Sequence, residues 1–594
     1  MRIERHEVGR EAISEALEGF AGRIAGDVRM MEHDRHPAGG WQLIAESLVE
    51  YAAARSVTHP ELTDADARIA IESAASAAVG SVALAAGLGG RVWIDYTGTG
   101  VEHRAALPGG TGSPVRPHVW LEAFLLAFVA GVSDENGDLF VAAAPALAGQ
   151  ESRPDVALVH ALLIYVYGCA EGWPETAGPL SETNRAELIG TICDGVDPDP
   201  TLGRQYRSAL VSLRALATGD REGFARSLAA QLERHRAVES SYGRPTLSGL
   251  LPMDAIALAA MAVRWHEWEL PVESGYLPRG PVSGFRPPPG RVGPYGRHKR
   301  PDADPLPLVV DRPEHPYARY AAGDGTDSGS GISAFEEYVA RELALFHDID
   351  GDPAEASRAL EQVMRGHLWL FLHRVAGDPE GRDPALPDLL RTATEAGAAA
   401  LRLGRAPKGT LLPVTVGATT RTVPSRPGEA GDPGFWKETI ALALITGDRV
   451  SLAACVLVEP SFFTAAAPHL TDVAAYGAAL HDYLRGEDPV PAVDRALTIA
   501  ASYDHTRTPT PPVTLLSQVV EGDREGFALA LADTLEKHRD HYATGDRADT
   551  HHAVLDLDAL ALVCHVHRMG WQVPVSSPYL PARILNLGAR PDTV

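Results

Sequence analysis

The chain has 594 residues, which is too long for one hydrophobic core and predicts two to four domains. Its charged fraction of 22% and hydrophobic fraction of 45% are typical of a soluble globular protein. The formal net charge of −25 argues against a nucleic-acid-binding protein, because neutralising phosphates requires a basic face. That charge suits solubility and would also suit a basic partner.

The cysteines and the N-terminal sequence favour a cytoplasmic protein. Cys169, Cys193, Cys455 and Cys564 lack CxxC spacing, which is typical of reduced cysteines rather than of a disulfide framework. The opening sequence MRIERHE is charged and lacks the apolar stretch of a signal peptide. Residues 73–90 are rich in Ala, Gly and Ser, which favours a buried helix over a membrane span. We therefore expect a cytoplasmic location and no membrane partner.

Apolar periodicity predicts helices over most of the first half of the chain. The helix that begins near Leu62 has Thr63 as its expected N-cap. A strand-like run, 91–98, leads through a Gly/Pro-rich loop into a helix that carries Trp120 and ends at Gly131. The other predicted helices cover residues 10–31, 40–54, 155–167, 181–193 and 201–218.

The first half ends in a block that the chain repeats. Gly219–Arg236 reads GDREGFARSLAAQLERHR, and Gly522–Arg539 reads GDREGFALALADTLEKHR, with 13 of 18 positions identical at an offset of 303 (522 − 219). Phe224, Leu228 and Leu232 are four residues apart, so they share one face of a helix. We predict this stripe to be core. Its counterpart in the second copy is Phe527, Leu531 and Leu535.

The repetition continues beyond this block. A helix that opens near Asp254 or Asp558 reads DAIAL in the first copy and DALAL in the second. Each copy then closes with a tail that contains Trp, Pro-Val and Tyr-Leu-Pro, starting at Trp268 and Trp571. Two amphipathic helices followed by this tail therefore form the end of both units.

The second half repeats the order of elements in the first. Helices are predicted at 333–346, 353–375 and 386–403, with Trp369 in a place like that of Trp41. A strand-like run at 410–423 and a Gly/Pro loop precede the next helix, which ends at Gly447. Its residues correspond in order to Trp120, Leu121, Glu122, Phe124 and Phe128 of the first half; they are Trp436, Lys437, Glu438, Ile440 and Leu444.

We therefore predict an all-α fold of two tandem helical-bundle or α-solenoid-like units, with at most a short hairpin in each. The first unit spans 1–285, a Pro/Gly-rich linker spans 286–331 and the second, diverged unit spans 332–594. The linker carries three prolines at 287–289, a basic cluster at 297–300 and a Gly/Ser-rich stretch, a composition that buries no core.

The sequence predicts no metal site. His347–Asp352 and Asp134–Asp138 resemble acidic calcium loops but lack the required Gly position, so capping turns explain them. His565 and His567 are two residues apart, which puts them on different helical faces. His551 and His552 fall in a predicted loop without a partner nearby in sequence. His235 and His538 recur at matched positions, which helix-dipole effects would explain.

Four pairs of carboxylates are shared by both halves. Catalysis would require two of them to face each other across a cleft with separated pKa values. Positions near helix starts explain most of them as N-caps or dipole partners, so we predict no catalytic residue. No nucleotide, zinc-protease or nucleophile-elbow motif is present either, and no cofactor is expected. The pairs are Asp220 and Asp523, Glu222 and Glu525, Glu122 and Glu438, and Asp254 and Asp558.

The GDREGF block, the DAIAL helix and the Trp…Pro-Val…Tyr-Leu-Pro tail resemble the immunity protein 49 family. The opening RHEVGRE and Trp41 resemble the N-terminus of that family. The resemblance covers residues 1–285, and its tail returns at 505–585. It implies a mostly α-helical protein of bacterial polymorphic toxin systems that binds and neutralises a cognate toxin. It carries no catalytic residues over to this chain.

These observations favour a non-catalytic immunity protein that acts by occluding a protein toxin or locking its conformation. The acidic charge favours a basic, nuclease-type toxin. The sequence singles out no partner-binding residues. Two alternatives are a helical-repeat scaffold that binds an endogenous protein and a divergent enzyme. A deep cleft lined by paired polar groups with perturbed pKa values would favour the enzyme.

Overall fold

The computed structural model places the chain in two compact units, each with its own hydrophobic core. The first unit consists of Met1–Pro287 with Thr544–Asp546, and the second of Pro288–Ala543 with Arg547–Val594. The residues that the structure describes are 1–105, 115–147, 149–150, 152–170, 180–197, 203–241, 246–285, 290–313, 315, 332–348, 353–425, 432–464, 470–502 and 510–587.

The first unit is mostly α-helical. Its helices are α1 (Arg10–Leu17), α2 (Phe20–Met30), α3 (Pro37–Thr58), α4 (Ala65–Ala85), α5 (Pro117–Ala130), α6 (Gly137–Ala142), α7 (Pro154–Tyr167), α8 (Glu182–Gly195), α9 (Arg204–Ala217), α10 (Arg221–Ser241), α11 (Met253–His266) and α12 (Arg279–Ser283). Its strands are β1 (Arg2–Ile3), β2 (Gly90–Ile94), β3 (Thr99–His103) and β4 (Glu273–Ser274).

The second unit repeats this order. Its strands are β5 (Leu308–Val309), β6 (Leu411–Val416), β7 (Thr419–Pro424) and β8 (Val575–Ser576). Its helices are α13 (Ile332–Asp348), α14 (Pro353–Gly377), α15 (Leu386–Arg405), α16 (Pro433–Thr446), α17 (Arg449–Val456), α18 (Ser461–Thr464), α19 (Thr471–Arg485), α20 (Val490–Ser502), α21 (Val513–Glu521), α22 (Arg524–Tyr542), α23 (Leu557–Arg568) and α24 (Ala582–Leu585).

Strands are few and short, so the predicted mostly α-helical fold is confirmed. Among the described residues they form four two-stranded pairs. β2 and β3 form an antiparallel hairpin, as do β6 and β7. The strand-like run 91–98 is therefore the first strand and turn of a hairpin, whereas the run 410–423 covers nearly all of the other hairpin. In each unit a strand near its start also pairs in parallel with one near its end, β1 with β4 and β5 with β8.

Helix α4 is the apolar run that the sequence assigns to the interior. Its length and composition would also allow a membrane span, but 67% of its most apolar window is buried inside the unit. Ile69, Ile71 and Val82 are fully buried, and Gly80 lies so close to Val92 that an added Cβ would meet that side chain at 2.5 Å. Helix α4 is therefore the central helix of the first core, packed between α3, α5 and the hairpin.

The repeated block occupies equivalent places in the two cores. Phe224 and Phe527 are 1% and 0% exposed, which confirms the predicted core stripe. The Phe224 ring lies 5.8 Å from that of Trp268, and the Phe527 ring lies 5.7 Å from that of Trp571. Each block thus anchors the tail that follows it through the same aromatic contact.

Matched arginines hold the matched helices together. In the first unit the Arg264 guanidinium donates to the carbonyls of Phe128 (3.0 Å) and Val129 (2.9 Å) at the end of α5. In the second, Arg568 donates to the carbonyls of Leu444 and Ile445 at the end of α16. Because the last carbonyls of a helix lack partners within it, this contact stabilises both helix ends in the same way.

Several details predicted from the sequence are wrong. The run 10–31 is two helices, because Gly19 adopts a left-handed φ of 60° between them. The N-cap of α4 is Asp64 rather than Thr63, since the Asp64 carboxylate accepts the Ala67 N–H at 3.0 Å. His235 and His538 lie inside helices rather than in a last turn. Their rings pack edge-on against Tyr276 and Tyr579, with centroids 5.2 and 5.1 Å apart. Trp369 is not the counterpart of Trp41, because Trp369 is only partly buried whereas Trp41 is fully buried in the first core.

The described part of the predicted linker, 290–313, is built into the second unit. The Arg291 guanidinium pairs with Asp533 (2.6 Å) and Glu536 (2.7 Å). Lys299, from the basic cluster, pairs with Glu525 at 2.8 Å. Val292, Leu308 and Val310 belong to the second hydrophobic core. The high proline content of this segment predicts an unpacked linker. A few spaced apolar and basic residues nevertheless dock it onto the second unit. Residues 286–289, 314 and 316–331 lie outside the described residues.

Candidate functional site

An acidic cavity of about 400 Å³ opens in the first unit. We call it the acidic cavity below. Helices α3, α5, α9, α10 and α11 supply most of its lining, with the turn Ser248–Leu250. The residues that line it are Gln42, Ala45, Glu46, Val49, Glu50, Ala78, Ser81, Val119, Leu121, Glu122, Leu125, Leu126, Gln205, Tyr206, His235, Ser248, Leu251, Pro252, Met253 and Asp254.

Helix α3 contributes a polar row to this cavity. Gln42, Glu46 and Glu50 follow each other at intervals of four residues, so they share one face of the helix. Glu122 on α5 lies close to this row. The Gln42 side-chain amide donates to the Glu46 carboxylate (3.2 Å) and, more weakly, to the Glu122 carboxylate (3.4 Å). One neutral amide therefore bridges two carboxylates that belong to different helices.

The surroundings raise the pKa of two of these carboxyl groups. The Glu122 side chain is open to the cavity, but the protein around it, and then the negative charge of Glu46, raise its pKa to about 7. The same two causes, in the same order, raise the pKa of Glu50. At neutral pH Glu122 is therefore poised between its charged and neutral forms, and a nearby positive charge would fix it as the carboxylate.

Two further polar groups come from α11 and α9. The Asp254 carboxylate accepts the Gln231 side-chain amide at 2.9 Å and the Ala255 N–H at 2.8 Å, and burial raises its pKa. Burial, followed by the charge of Glu122, raises the pKa of Tyr206 to about 12, so this phenol stays protonated. The titratable groups that line the cavity beside Glu122 are Glu46 and Glu50 from α3, Tyr206 from α9, His235 from α10 and Asp254 from α11.

The second unit contains the counterpart of each helix around the cavity. For α3 the counterpart is α14, because an arginine binds a carbonyl near the end of each helix. Arg5 donates to the Ser56 carbonyl (3.1 Å) near the end of α3, and Arg312 donates to the Val375 carbonyl (3.5 Å) near the end of α14. With these two carbonyls aligned, the buried positions of the helices coincide: Trp41, Ile44, Leu48 and Ala52 in α3, and Leu360, Val363, His367 and Phe371 in α14. Trp369 therefore matches Glu50, and Arg365 matches Glu46.

Helix α16 aligns with α5 in the same way. The buried Trp120 indole donates to the Phe140 carbonyl (2.9 Å), and the buried Trp436 indole donates to the Cys455 carbonyl (3.1 Å). The residue after each tryptophan differs in kind. It is Leu121 in the first unit and Lys437 in the second, and both copies then have a glutamate, Glu122 and Glu438.

In the second unit this place is filled by the chain itself. The Lys437 ammonium donates to the Asp558 carboxylate, the counterpart of Asp254, and the two side chains are 21% and 11% exposed. Burial acts to lower the pKa of Lys437, but the carboxylates around it, Asp558 first and then Glu438 and Asp556, together raise it. Burial likewise raises the pKa of Glu438, and the charges of Lys437 and Arg365 oppose that rise.

Aromatic rings occupy further space at the matched position. Trp369 stacks on His551, with ring centroids 5.1 Å apart and planes at 17°. His551 opens the turn that matches Ser248–Leu250, so it stands where the first unit has Ser248. Its Nε2 atom also lies 3.0 Å from Nε2 of His373. Both of these neighbours of His551 therefore lie on α14, far from it in sequence, where the sequence pattern did not point.

Of the carboxylates named from the sequence, two cap helices as expected. Asp220 accepts the Gly223 N–H at 2.8 Å, and Asp523 accepts the Gly526 N–H at 2.9 Å. Glu122 and Asp254 instead line the acidic cavity. Glu46 and Glu50 were missed, because the second copy does not repeat them. Their spacing with Gln42 along one helical face was the available signal.

No metal centre emerges in the part of the chain that the structure describes. Within the described residues, no group of three or more His, Cys, Asp or Glu side chains is arranged to hold a metal ion. The acidic turn Asp134–Asp138 is part of that search, whereas residues 349–352 of the other candidate turn lie outside the described part of the chain. All four cysteines are free thiols.

Comparison with known proteins identifies the family. The sequence profile of immunity protein 49 matches the chain twice, at residues 59–280 and at residues 351–584. Comparison with curated proteins and with solved structures gave no significant match. The two matched segments fall in the two units and together cover most of the chain, which confirms the resemblance drawn from the repeated motifs. This chain therefore belongs to the immunity protein 49 family and carries two tandem units of it.

Proposed function

We propose that this protein is a cytoplasmic immunity protein of a bacterial polymorphic toxin system, which binds one cognate protein toxin and neutralises it without catalysis. Once bound, the immunity protein occludes the active site of the toxin or locks the conformation of the toxin. The double match to the immunity protein 49 family carries this proposal. The acidic cavity supports it by offering a concave, charged surface in one of the two units.

A basic toxin, such as a nuclease-type domain, suits the charge of this protein. The chain has a formal net charge of −25, and carboxylates line the cavity. Opposite charges on two partners accelerate their encounter and exclude partners of like charge. The association rate should therefore fall steeply as salt is added, because screening weakens this attraction.

Co-expression with the neighbouring toxin gene tests the proposal. Cells that express the toxin alone should stop growing, and cells that also express this protein should grow and yield a complex of the two proteins on purification. A catalytically inactive toxin controls for the burden of expression. If the protein neither restores growth nor forms a complex, the proposed function is wrong.

An enzymatic role is the second candidate, and Glu122 is the observation that favours it. A carboxyl group with a pKa near 7 in a cavity is suited to general acid or base catalysis. Titration of the toxin with this protein separates the two roles. Stoichiometric binding predicts that neutralisation is complete at one-to-one, whereas an enzyme would protect at a small fraction of that ratio.

A further inference from the structure

We infer that the acidic cavity receives a basic side chain, lysine or arginine, from the bound toxin. This contact rests on the proposed function and adds to it the place and the chemistry of recognition. The two units hold two copies of one site. Among the described residues, Lys437 of this chain occupies the copy in the second unit, and no lysine or arginine lines the copy in the first.

The second unit shows which group the site accepts. There the Lys437 ammonium donates to the Asp558 carboxylate. Asp558 is the counterpart of Asp254, and Lys437 stands where the first unit has Leu121. A carboxylate at this position therefore binds an ammonium group when the chain supplies one.

The described lining of the acidic cavity in the first unit contains no such group. Across the described residues that line the acidic cavity, there is no lysine or arginine, and His235 alone can carry a positive charge. Four acids share this lining: Glu46, Glu50, Glu122 and Asp254. A carboxylate partly withdrawn from water is stabilised by an opposite charge. A cation that enters beside Glu46 and Glu122 would therefore be held by both carboxylates, which Gln42 already links.

The walls of the cavity suit the rest of a basic side chain. Leu121, Leu125 and Met253 give them an apolar surface. Lysine and arginine bury their methylene stems against such surfaces while the charged end contacts polar groups. A volume of about 400 Å³ lies within the range of sites that enclose a ligand group. An apolar segment of a partner would instead leave the carboxylates buried without partners.

Substitution Leu121→Lys in the full chain tests this inference, because it reproduces the internal occupant of the second unit. The introduced ammonium should bind Asp254 and fill the acidic cavity. Binding of catalytically inactive toxin should then weaken by more than about 100-fold. Leu43→Lys is the matched control, since Leu43 lies on α3, is 64% exposed and does not line the cavity. This control should bind like the wild type.

A second pair of variants does not depend on how well Leu121→Lys folds. The double substitution Glu46→Gln with Glu122→Gln removes charge and keeps shape, and it should weaken toxin binding by at least about 10-fold. Glu222→Gln is its control, because that side chain is on the exposed face of α10, 90% accessible, and outside the cavity. The circular dichroism spectrum should be unchanged in both, and neither should unfold at a lower temperature than the wild type, because a raised carboxyl pKa means that the charge of Glu122 does not stabilise the fold at neutral pH.

Each outcome is decisive. Wild-type protein that binds toxin, together with loss of binding in the cavity variants alone, supports the inference. Wild-type protein that binds toxin, together with folded cavity variants that bind equally well, overturns the inference and leaves the proposed function standing. Wild-type protein that forms no complex overturns both.

Discussion

Removal of the Lys437 ammonium should destabilise the second unit and leave the first unchanged. The substitution Lys437→Met keeps a long apolar side chain but leaves the Asp558 carboxylate unpaired. These side chains are only 21% and 11% exposed, so water replaces the lost partner poorly. Breaking a buried ion pair by removing one partner costs about 3–5 kcal/mol. Because Lys437 is partly accessible, we expect the lower end, about 3 kcal/mol, which is roughly a 100-fold change in the unfolding equilibrium.

Hydrogen exchange read by mass spectrometry resolves the two units in one experiment. Amides of α16 and α23 should exchange faster in Lys437→Met, whereas amides of α5 and α11 should keep their wild-type rates. The double variant Lys437→Met with Asp558→Asn is the control, because it removes both charges and should recover much of the loss.

The pH dependence of this effect has a definite sign. Burial raises the pKa of Asp558, and Lys437 lowers it, so the pKa rises further when Lys437 is replaced. Protonation then removes the unpaired charge, and the difference between wild type and Lys437→Met should shrink as the pH falls through the folded-state pKa. If the amides of α16 and α23 exchange equally fast in wild type and variant at neutral pH, the ion pair does not stabilise the second unit. Lys437 would then not be an occupant that stabilises the filled site.

Three further predictions concern the core, a helix cap and the cavity. Phe224→Ala and Phe527→Ala should each destabilise their own unit by about 3–5 kcal/mol, measured by urea unfolding, because both rings are fully buried; a loss in only one of the two would contradict equivalent cores. Asp523→Ala should cost about 1 kcal/mol more than Asp523→Asn in the same assay, because both substitutions remove the charge that pairs with Lys299 and only the first removes the N-cap bond. Toxin affinity should rise between about pH 6 and pH 8, because binding a cation favours the charged form of Glu122, whose pKa is about 7; calorimetry on wild type and Glu122→Gln measures this, and an equally steep rise in both would exclude Glu122 as the cause.

The sequence predicted the fold well where the two copies agree. Phe224 and Phe527 are spaced for one helical face in both copies, and a pattern that occurs twice is rarely accidental. The order of hairpin, tryptophan helix and closing tail followed from the same comparison. Family membership followed from the shared motifs and is confirmed by the double match.

The acidic cavity escaped prediction because it lies where the copies differ. Glu50 has Trp369 as its counterpart, and Leu121 has Lys437, so neither position appears as a repeated motif. A search for shared carboxylates therefore found Glu122 and Asp254 without the partners that make them a site. The predicted bounds of α3 and α5 do not show that these two helices are neighbours, because helix contacts depend on how the core packs.

The Trp41 assignment failed for a related reason. Trp41 and Trp369 both lie on matched helices, α3 and α14, but they occupy different positions along them. Burial decides the matter: Trp41 is fully buried and matches Leu360, whereas Trp369 is partly buried and faces the filled site. A shared stripe of buried positions is a safer guide to equivalence than one shared aromatic residue.

Hydrogen exchange of the full chain with and without its toxin tests the central claim most directly. If the open copy of the site recognises the toxin, the amides of α3 and α5 in the first unit should become protected in the complex. The matched helices α14 and α16 in the second unit should keep their exchange rates. Protection of α14 and α16 in a stable complex, with α3 and α5 unchanged, would contradict the claim.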